Sequence, residues 1–577
     1  MNDQTLMKLK SAVRASRKAL SKHREVEQTA LKRYMGAHFG DEGCEESQPV
    51  NMIEIAVTTL IQQVVAQEPQ VLLLSQKQEL EKTLKTTAAA LNRKIIEMNL
   101  GEELRLFFMS GLFSMGIMKV GIAPTRYAEI DGEMLAETDV FAEHVPFKDW
   151  VHDTTATKWT PRQIQFCGHR YRVPLEWAKG NVEFDEEVRD RLQAESKATD
   201  DTGDFDYDSP LDRMDEDTEF VEHVELWDMW IPSEQKLVTY ASSGSKPLLE
   251  SKIERPGGHS PYHIFGVSPV LNSVMPLPPV VNWMDSNEIT NLMLVKVSQQ
   301  ASRQKTVTFA APTSVDDANK VIKSEDGDTI TVANPGGIKE VRYGGPDQQS
   351  IGFAGYMRGM TSYAMGNLDT LAGLGSQTET ATQEGFLKNS SSARVQALQG
   401  QLLKATKGVV RDILWWMWNS PTIQMTLTQE IEDTRVMIET AWPVQDDEYG
   451  FPTDMREGIE VELYDVDIEP YSMQNKPPTQ RLTELAEIWE RFILPMMQNG
   501  LVQGDPDRFL EMLGQYGDWP ELKQLLISSN PSGGGGGSRN QAGPSHTSRE
   551  YTRHNVSDGP SLQGAEREMM AAATGAG

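Results

Sequence analysis

Apolar residues recur at helical spacing in three early stretches of this chain. From Asn51 to Ala66 they repeat every three to four residues, and Pro69, a residue that ends helices, follows shortly after. The same period returns from Glu81 to Met98 and from Glu102 to Ser114. We therefore predict three consecutive helices in this part of the chain.

Patterns typical of antiparallel strands follow these helices. They run from Tyr127 to Trp150, from Gln163 to Val173, and again through VEHVELWDMWI and KLVTYA. Helices followed by such strands predict an α+β fold class for this region.

The most extended helical patterns lie near the middle of the chain. No Gly or Pro interrupts Val280 to Lys305, which predicts a helix of about 26 residues, or roughly 39 Å. The residues that follow it are rich in β-branched side chains and turns, and they predict two or three short strands around a small helix at Val315–Ile322. A second helix is predicted from Asp347 to Leu368, and a third, of roughly 37 residues and 55 Å, from Thr382 to Trp418.

These long helices carry apolar residues on more than one face. Around the first of them stand Val281, Met284, Ile289, Leu292 and Leu294. Two long helices that flank a small β module cannot bury all of these side chains within one hairpin. We therefore expect copies of the chain to pack side by side in a ring.

The C-terminal part of the chain changes character twice. Strand patterns extend from Thr422 to Pro470, and helical patterns follow at Pro478–Asn499, Pro506–Gln515 and Pro520–Ser528. Beyond Asn530 the run PSGGGGGSRNQAGPSHTSRE is low in complexity, which predicts a disordered tail.

The composition limits the classes of function that the chain can have. The 577 residues contain no apolar run of 18 and only two cysteines, so we expect neither a membrane span nor a disulfide framework. The net charge of -29 disfavours tight, static binding to DNA. An acidic wall would keep a moving duplex from adhering to a channel, but solubility alone explains the charge as well.

The N-terminus is the basic exception. Residues 1–40 hold nine Lys and Arg against three acids, with a weak apolar stripe at Leu6, Leu9, Val13 and Leu20. They predict a surface helix that either contacts nucleic acid or docks on a neighbouring subunit.

Sequence motifs of catalysis are absent. The chain has no G-x-x-x-x-G-K-[ST], no H-E-x-x-H, no G-x-S-x-G and no cysteine pair at metal spacing. An acidic stretch at Asp200–Glu222 fails as a calcium loop, because Ser209 stands where that loop needs Gly and Asp215 where it needs Glu. We expect no catalytic residue, no cofactor and no metal.

Two further clusters allow two interpretations each. Asp465, Asp467 and Glu469 resemble a metal-binding carboxylate set, but they alternate with apolar residues as in a half-buried strand with a wet acidic face. The three tryptophans of the third helix could stack on bases, but their apolar neighbours favour core packing; they are Trp415, Trp416 and Trp418.

Several segments in chain order resemble one family of proteins. They are VNMIEIAVTTLIQQVVAQEPQV, FSMGIMKVG, VPFKDWVHD, SQQASRQK at the end of the first long helix, TETATQEG at the start of the third, and DVDIEPYSM. Together with the helical pattern of the middle region, they make the chain similar, over about residues 25 to 527, to the portal (head-to-tail connector) proteins of tailed bacteriophages.

The resemblance implies a portal fold within the α+β class. Its parts would be an N-terminal wing (1–278), a first stem helix (279–305), a clip (306–346), a second stem helix (347–368), a tunnel loop (369–381), a second wing segment (382–470), a helical crown (471–529) and the tail (530–577). It further implies that the tunnel loop lines the narrowest part of a DNA channel. The residues expected there are Leu371, Ala372, Gly373, Leu374, Gly375, Ser376, Gln377 and Thr378.

The resemblance also implies a function. The chain would form a ring, of twelve subunits by analogy, at one vertex of a virion assembled in the host cytoplasm, and double-stranded DNA would pass through it. The implied partners are further copies of the chain, the major capsid protein, the terminase large subunit as a separate motor, and a head-completion or tail adaptor protein; no membrane is involved. Two alternatives remain, a metal-dependent nuclease or phosphodiesterase that uses the Asp465 set, and another ring-forming tail adaptor.

Overall fold

The computed structural model describes residues 3–36, 48–75, 80–130, 133–194, 221–253, 255, 260–371, 381–430, 437–446, 452–457, 459–461, 464–468, 473 and 491. The chain divides into two units, 1–476 and 477–577. All the helices and strands given below belong to the first unit.

Helices and antiparallel strands are both well represented in the first unit. The helices are α1 (Asp3–Met35), α2 (Met52–Val64), α3 (Glu81–Glu97), α4 (Leu100–Phe113), α5 (Leu175–Gly180), α6 (Glu186–Arg189), α7 (Pro279–Ser302), α8 (Val315–Lys323), α9 (Gln348–Ala364), α10 (Leu368–Leu371) and α11 (Ala381–Asn419). The strands are β1 (Val71–Leu74), β2 (Gly116–Ile130), β3 (Glu133–His144), β4 (Trp150–His152), β5 (Cys167–Pro174), β6 (His223–Ile231), β7 (Lys236–Ala241), β8 (Leu249–Lys252), β9 (Tyr262–Phe265), β10 (Lys305–Ala310), β11 (Ile338–Tyr343), β12 (Met425–Glu430), β13 (Met437–Trp442), β14 (Val444–Asp446), β15 (Pro452–Asp454) and β16 (Asp465–Ile468). The α+β class expected from the sequence is confirmed.

The strands form one five-stranded sheet and several smaller ones. The five-stranded sheet has the order β4-β5-β6-β7-β8, and a three-stranded sheet has the order β3-β2-β9. Four two-stranded sheets pair β1 with β16, β10 with β11, β12 with β13, and β14 with β15. Each of these pairings is antiparallel.

The main core lies where α2, α3, α4, the base of α7 and the second half of α11 meet the three-stranded sheet. Phe107, Phe108 and Val410 are among the buried side chains that fill it. Phe265 of β9 packs against Phe107 and Phe108 of α4, with ring centroids 5.7 and 5.8 Å away. This core fixes the place from which α7 leaves the rest of the unit.

The N-terminal helix α1 is anchored on its own chain. Leu6, Leu9 and Val13 pack on one face of the five-stranded sheet, against side chains that include Trp227 and Tyr240. The apolar stripe that the sequence suggested is therefore buried within this chain. The opposite face of α1 is exposed to solvent, in keeping with a surface helix.

Polar groups reinforce the docking of α1 on β4. Ser16 Oγ donates to the carbonyl of His152 at 2.6 Å, and Arg24 Nη2 donates to the carbonyl of Trp150 at 2.8 Å. Farther along α1, Glu27 Oε1 accepts a hydrogen bond of 2.7 Å from Ser114 Oγ. All these α1 side chains are buried, so the contacts are shielded from water.

Some predicted bounds were wrong in detail. The first long helix ends at Ser302, because Lys305 already belongs to β10. The second ends at Ala364 rather than Leu368, since Gly366 and Asn367 take left-handed φ values of 98° and 62°. The number of strands in the middle module agrees with the predicted two or three: it has two, because the segment 328–332 carries no strand.

Candidate functional site

The candidate site is an antiparallel hairpin of two helices that carries a small β module at its tip. The helices are α7 and α9, named here the stem hairpin, and the clip module is the chain between them, residues 305–343. Near the clip module, Gln300 Oε1 accepts a hydrogen bond from the backbone N–H of Asp347 at 3.2 Å. Toward the other end of the hairpin, Thr290 of α7 meets Thr361 of α9. The two helices therefore run side by side for most of their length.

At the base of the stem hairpin, the first buried residues of α7 are apolar and the next ones along the helix are polar. Val280 and Trp283 enter the main core. One and two turns farther along, the buried residues of α7 become polar, and with their neighbours on α9 they form a cluster, named here the polar joint: Asn287, Thr290, Asn291, Thr361 and Ser362.

Most polar atoms of this joint find partners. Asn291 Nδ2 donates to the carbonyl of Asn287 at 3.0 Å, and Asn291 Oδ1 accepts from the backbone N–H of Val50 at 3.0 Å. Asn287 Oδ1 is buried and has no hydrogen-bond partner among the described residues. The contacts that link the two helices are those of Thr361 Oγ1, which lies 3.0 Å from Thr290 Oγ1 and 3.2 Å from the carbonyl oxygen of Ser286. Buried polar contacts are directional, so these fix how α7 and α9 sit against each other.

The clip module is small and lies largely in solvent. Its two strands pair in register from Lys305 with Tyr343 to Ala310 with Ile338. Asp317 at the start of α8 accepts from the backbone N–H of Ala333 at 2.8 Å and ties the helix to the loop before β11. A two-stranded sheet is marginally stable by itself, so this module depends on α8 and on further contacts.

Large apolar side chains are concentrated on the surface of the stem hairpin and clip module. Of the 27 large apolar side chains that the described residues expose, 13 lie between Ile289 and Tyr363. Phe353 is 46% exposed and Tyr356 is 62% exposed, and Arg358 is the only charged residue in α9. The 13 are Ile289, Leu292, Val307, Phe309, Val315, Val321, Ile322, Tyr343, Ile351, Phe353, Tyr356, Met360 and Tyr363.

The predicted loop residues fall mostly outside the described residues. Leu371 is the last residue of α10, is half-buried and packs against the main core, and its carbonyl accepts from Gln63 Nε2 at 3.1 Å. The others, which are not described, are Ala372, Gly373, Leu374, Gly375, Ser376, Gln377 and Thr378. Arg358 and Asp369 form an ion pair of 2.9 Å between α9 and α10, close to where this loop begins.

Two of the three carboxylates that resemble a metal-binding set, Asp465 and Asp467, lie on β16. Asp465 is exposed and Asp467 is half-buried, while Val466 and Ile468 are buried, which is the alternation of a half-buried strand. Asp467 pairs with Lys407 of α11, and the hydrogen bond from Lys407 is the main reason why the pKa of Asp467 lies below its usual range. Glu469 lies outside the described residues, as do the tail and nearly all of the predicted acidic loop and crown.

The tryptophans of α11 pack in the interior. Trp418 is buried, and Trp415 and Trp416 are half-buried, with their rings edge-on at 4.8 Å. Arg255 stacks over Trp415 at 4.8 Å. The core-packing interpretation is confirmed for these residues.

No sequence pattern signalled a buried polar cluster that joins the three-stranded and five-stranded sheets. Asp228 of β6 pairs with Lys119 of β2 and accepts from Thr239 Oγ1 at 2.6 Å. His169 Nδ1 lies 2.9 Å from the hydroxyl of Tyr262. Burial is the main cause that lowers the pKa of His169 to about 3, and nearby Lys119 adds to it. A half-buried histidine that stays neutral suits a structural joint between sheets.

Neither a metal site nor a membrane span occurs in the part of the chain that the structure describes. There, no three His, Cys, Asp or Glu residues stand in an arrangement that could hold a metal ion. No helix in that same part has the length and apolarity that crossing a bilayer requires. No protein-family model matches the sequence, and no curated protein matches it either.

Proposed function

We propose that this chain is a portal protein. It forms a ring at one vertex of a bacteriophage capsid, twelve subunits by analogy, and double-stranded DNA passes through the ring during packaging and ejection. The ring serves as a platform for the terminase large subunit, the major capsid protein and a head-completion or tail adaptor protein.

The observation that carries this proposal is the exposed apolar surface of the stem hairpin and clip module. Exposed patches of this kind in a charged, acidic chain are typical of contact surfaces between proteins. A surface that extends along both helices and the clip module suits identical neighbours on both sides, as in a closed ring.

One face of α9 offers a second support. Gly352, Gly355 and Gly359 recur at helical spacing, and a Cβ built on any of them would have open space within 4 Å. Such a face lets the backbone of a neighbouring helix approach closely. The exposed Tyr356 and Tyr363 stand beside it and would cover the contact.

Images of the purified full-length chain test the proposal. We expect negative-stain micrographs to show closed rings with a central hole, and mass photometry to give a multiple of 64.5 kDa. Replacing Phe353 and Tyr356 by Ser should shift the population to smaller species. The matched control replaces Trp177 and Leu271, which are 49% and 92% exposed outside the hairpin, and should leave the rings intact. A monodisperse monomer of the unmodified chain at micromolar concentration would contradict the proposal.

A further inference from the structure

The exposed face of α1 carries a row of cations. Lys8, Arg14, Lys18 and Lys22 are all exposed. At about 100° per residue they fall within an arc of about 120° on the helical wheel, directly opposite the stripe that packs on the five-stranded sheet. The helix therefore has one buried face and one face that presents these cations to solvent.

This row of cations lies in a stretch of α1 that has no acids. From Gln4 to Arg24 the sequence contains no Asp or Glu, and Glu25 is the first acid after Asp3. Residues 3–36 hold nine Lys and Arg against three acids, in a chain whose totals are 55 against 84. Over Gln4–Arg24 the exposed face of α1 carries no acid, so its local charge is opposite to the net charge of the protein.

On or next to several other helices, exposed cations form ion pairs with acids. Arg93 pairs with Glu97 at 2.9 Å on α3, and Lys320 pairs with Asp317 at 3.1 Å on α8. Arg191, next to α6, pairs with Glu187 at 2.7 Å. Within the described residues, none of the four cations on the outer face of α1 takes part in an ion pair. Solubility alone does not require an exposed face of unpaired cations, because ion-paired charges on other helices of this chain also keep the surface polar.

We propose that the outer face of α1 binds nucleic acid through its phosphates, without reading the sequence. From Lys8 to Lys22 the helix rises about 21 Å. A duplex carries one phosphate per roughly 1.7 Å of its axis, so each of the four flexible side chains has a phosphate within reach. Contacts from Lys and Arg to phosphates position a protein on the duplex but carry no base information.

Two features of the molecule bear on this choice of partner. The apolar side of α1 is buried against the sheet, so the helix cannot lie in a membrane interface as amphipathic helices do. The acidic charge of the rest of the chain is screened beyond a Debye length of about 10 Å at 0.1 M salt. The binding does not depend on ring formation, so it can fail or succeed separately from the proposed function.

Fluorescence anisotropy with a labelled duplex of about 30 base pairs tests this with the full-length chain. Four phosphate contacts give a salt slope near −3.6, so we expect binding to weaken on the order of 100-fold between 50 and 200 mM salt. The variant K8Q/R14Q/K18Q/K22Q should lose most of the affinity at 50 mM salt and most of the slope. The control K158Q/R162Q/K179Q/K246Q removes the same charge from exposed sites elsewhere and should bind like the unmodified chain.

Three results would overturn the proposal. One is the absence of saturable binding to the duplex at 50 mM salt while thermal melting shows a folded protein. Another is an equal loss of affinity in the two quadruple variants, which would assign the effect to net charge. The third is displacement of the duplex by polyglutamate at equal anionic charge, which would identify an acidic protein as the partner.

Discussion

The hydroxyl oxygens of Thr290 and Thr361 lie 3.0 Å apart in the buried base of the stem hairpin, where α7 crosses α9. Each hydroxyl also lies within hydrogen-bonding distance of a carbonyl one turn back on its own helix, Thr290 of Ser286 at 2.8 Å and Thr361 of Met357 at 2.9 Å. Because a hydroxyl has one proton, one of the two donates to its carbonyl while the other donates across the helix pair. The contact thus joins two helices whose remaining length is far more exposed to solvent.

This contact predicts non-additive substitutions. Thr290→Val and Thr361→Val should each destabilise the chain by about 1 kcal/mol, because each removes one hydrogen-bonding group from a buried pair. The double variant should lose less than the sum, since the shared contact is lost only once. Thermal melting of the unmodified chain, the two single variants and the double variant completes a double-mutant cycle. Strictly additive shifts in melting temperature would show that the two hydroxyls do not interact.

A buried ion pair between α11 and the chain before β9 predicts a larger effect. Asp412 lies 2.6 Å from Arg255 and 2.9 Å from His263, and the Asp412 and Arg255 side chains are each 4% exposed. Asp412→Ala should cost about 3 to 5 kcal/mol, because it leaves the Arg255 cation buried without its partner. Asp412→Asn keeps the shape and should cost less. Equal melting temperatures for Asp412→Ala and the unmodified chain would contradict this.

The same pair limits stability at low pH. Burial by itself would raise the pKa of Asp412, but His263 and Arg255 hold it below its usual range. A depressed carboxyl pKa contributes stability that is complete above the unfolded value, about 3.9, and is lost as the pH falls through the folded value. The contribution of this pair should therefore be constant above pH 5 and disappear in acid.

Glu27 of α1 predicts the opposite trend. Burial is the main cause that raises its pKa from 4.5 to about 7, against the opposing effects of the Ser114 hydrogen bond, Arg24 and Lys148. Between these two values the folded chain holds a proton that the unfolded chain has released, so stability falls as the pH rises. The fall amounts to about 3 kcal/mol.

Glu27→Gln isolates this effect, because Gln cannot ionise and can still accept from Ser114. The variant should be more stable than the unmodified chain at pH 8 and similar to it near pH 4.5. Two histidines, the half-buried His144 and the buried His152, have pKa values lowered to about 4, chiefly by burial, and add stability as the pH rises. They are common to both proteins, so the difference between the two melting curves reports Glu27 alone. A difference that does not vary with pH would contradict the prediction.

Local sequence signals predicted the elements well where the signal was strong. Asn51 was expected to begin a helix, and its side chain accepts from the backbone N–H of Glu54 to cap α2. The small helix expected at Val315–Ile322 is α8, Val315–Lys323. Capping and helical period depend on residues a few positions apart, so the sequence contains this information directly.

Contacts between distant residues could not be predicted in this way. Val71 of β1 pairs with Ile468 of β16, and the local sequence pattern of neither strand predicts which strand it pairs with. The buried face of α7 was also not predicted, because the sequence shows apolar residues such as Val281, Met284 and Ile289 on more than one face of this helix. The buried residues include the polar Asn287 and Thr290. Polar residues at a crossing of two helices are recognised only when the second helix is in place.

Substitutions on the glycine face of α9 should affect ring assembly without lowering the stability of the single chain. If neighbouring stem helices approach closely at Gly352, Gly355 and Gly359, larger side chains there should obstruct the approach in the ring. Within one chain the same side chains would meet open space, and leaving out glycine should stabilise the helix by roughly 0.5 to 1 kcal/mol per site.

We therefore predict that replacing all three glycines by Leu raises the melting temperature of the monomeric chain, or leaves it unchanged, while it weakens ring formation by about tenfold or more. Mass photometry across a dilution series measures assembly, and circular dichroism measures melting. The control replaces Gly180 by Leu, a site at the end of α5 that also has open space within 4 Å, and should form rings normally. Undiminished rings in the triple variant would place the contact between subunits on another face of the stem hairpin.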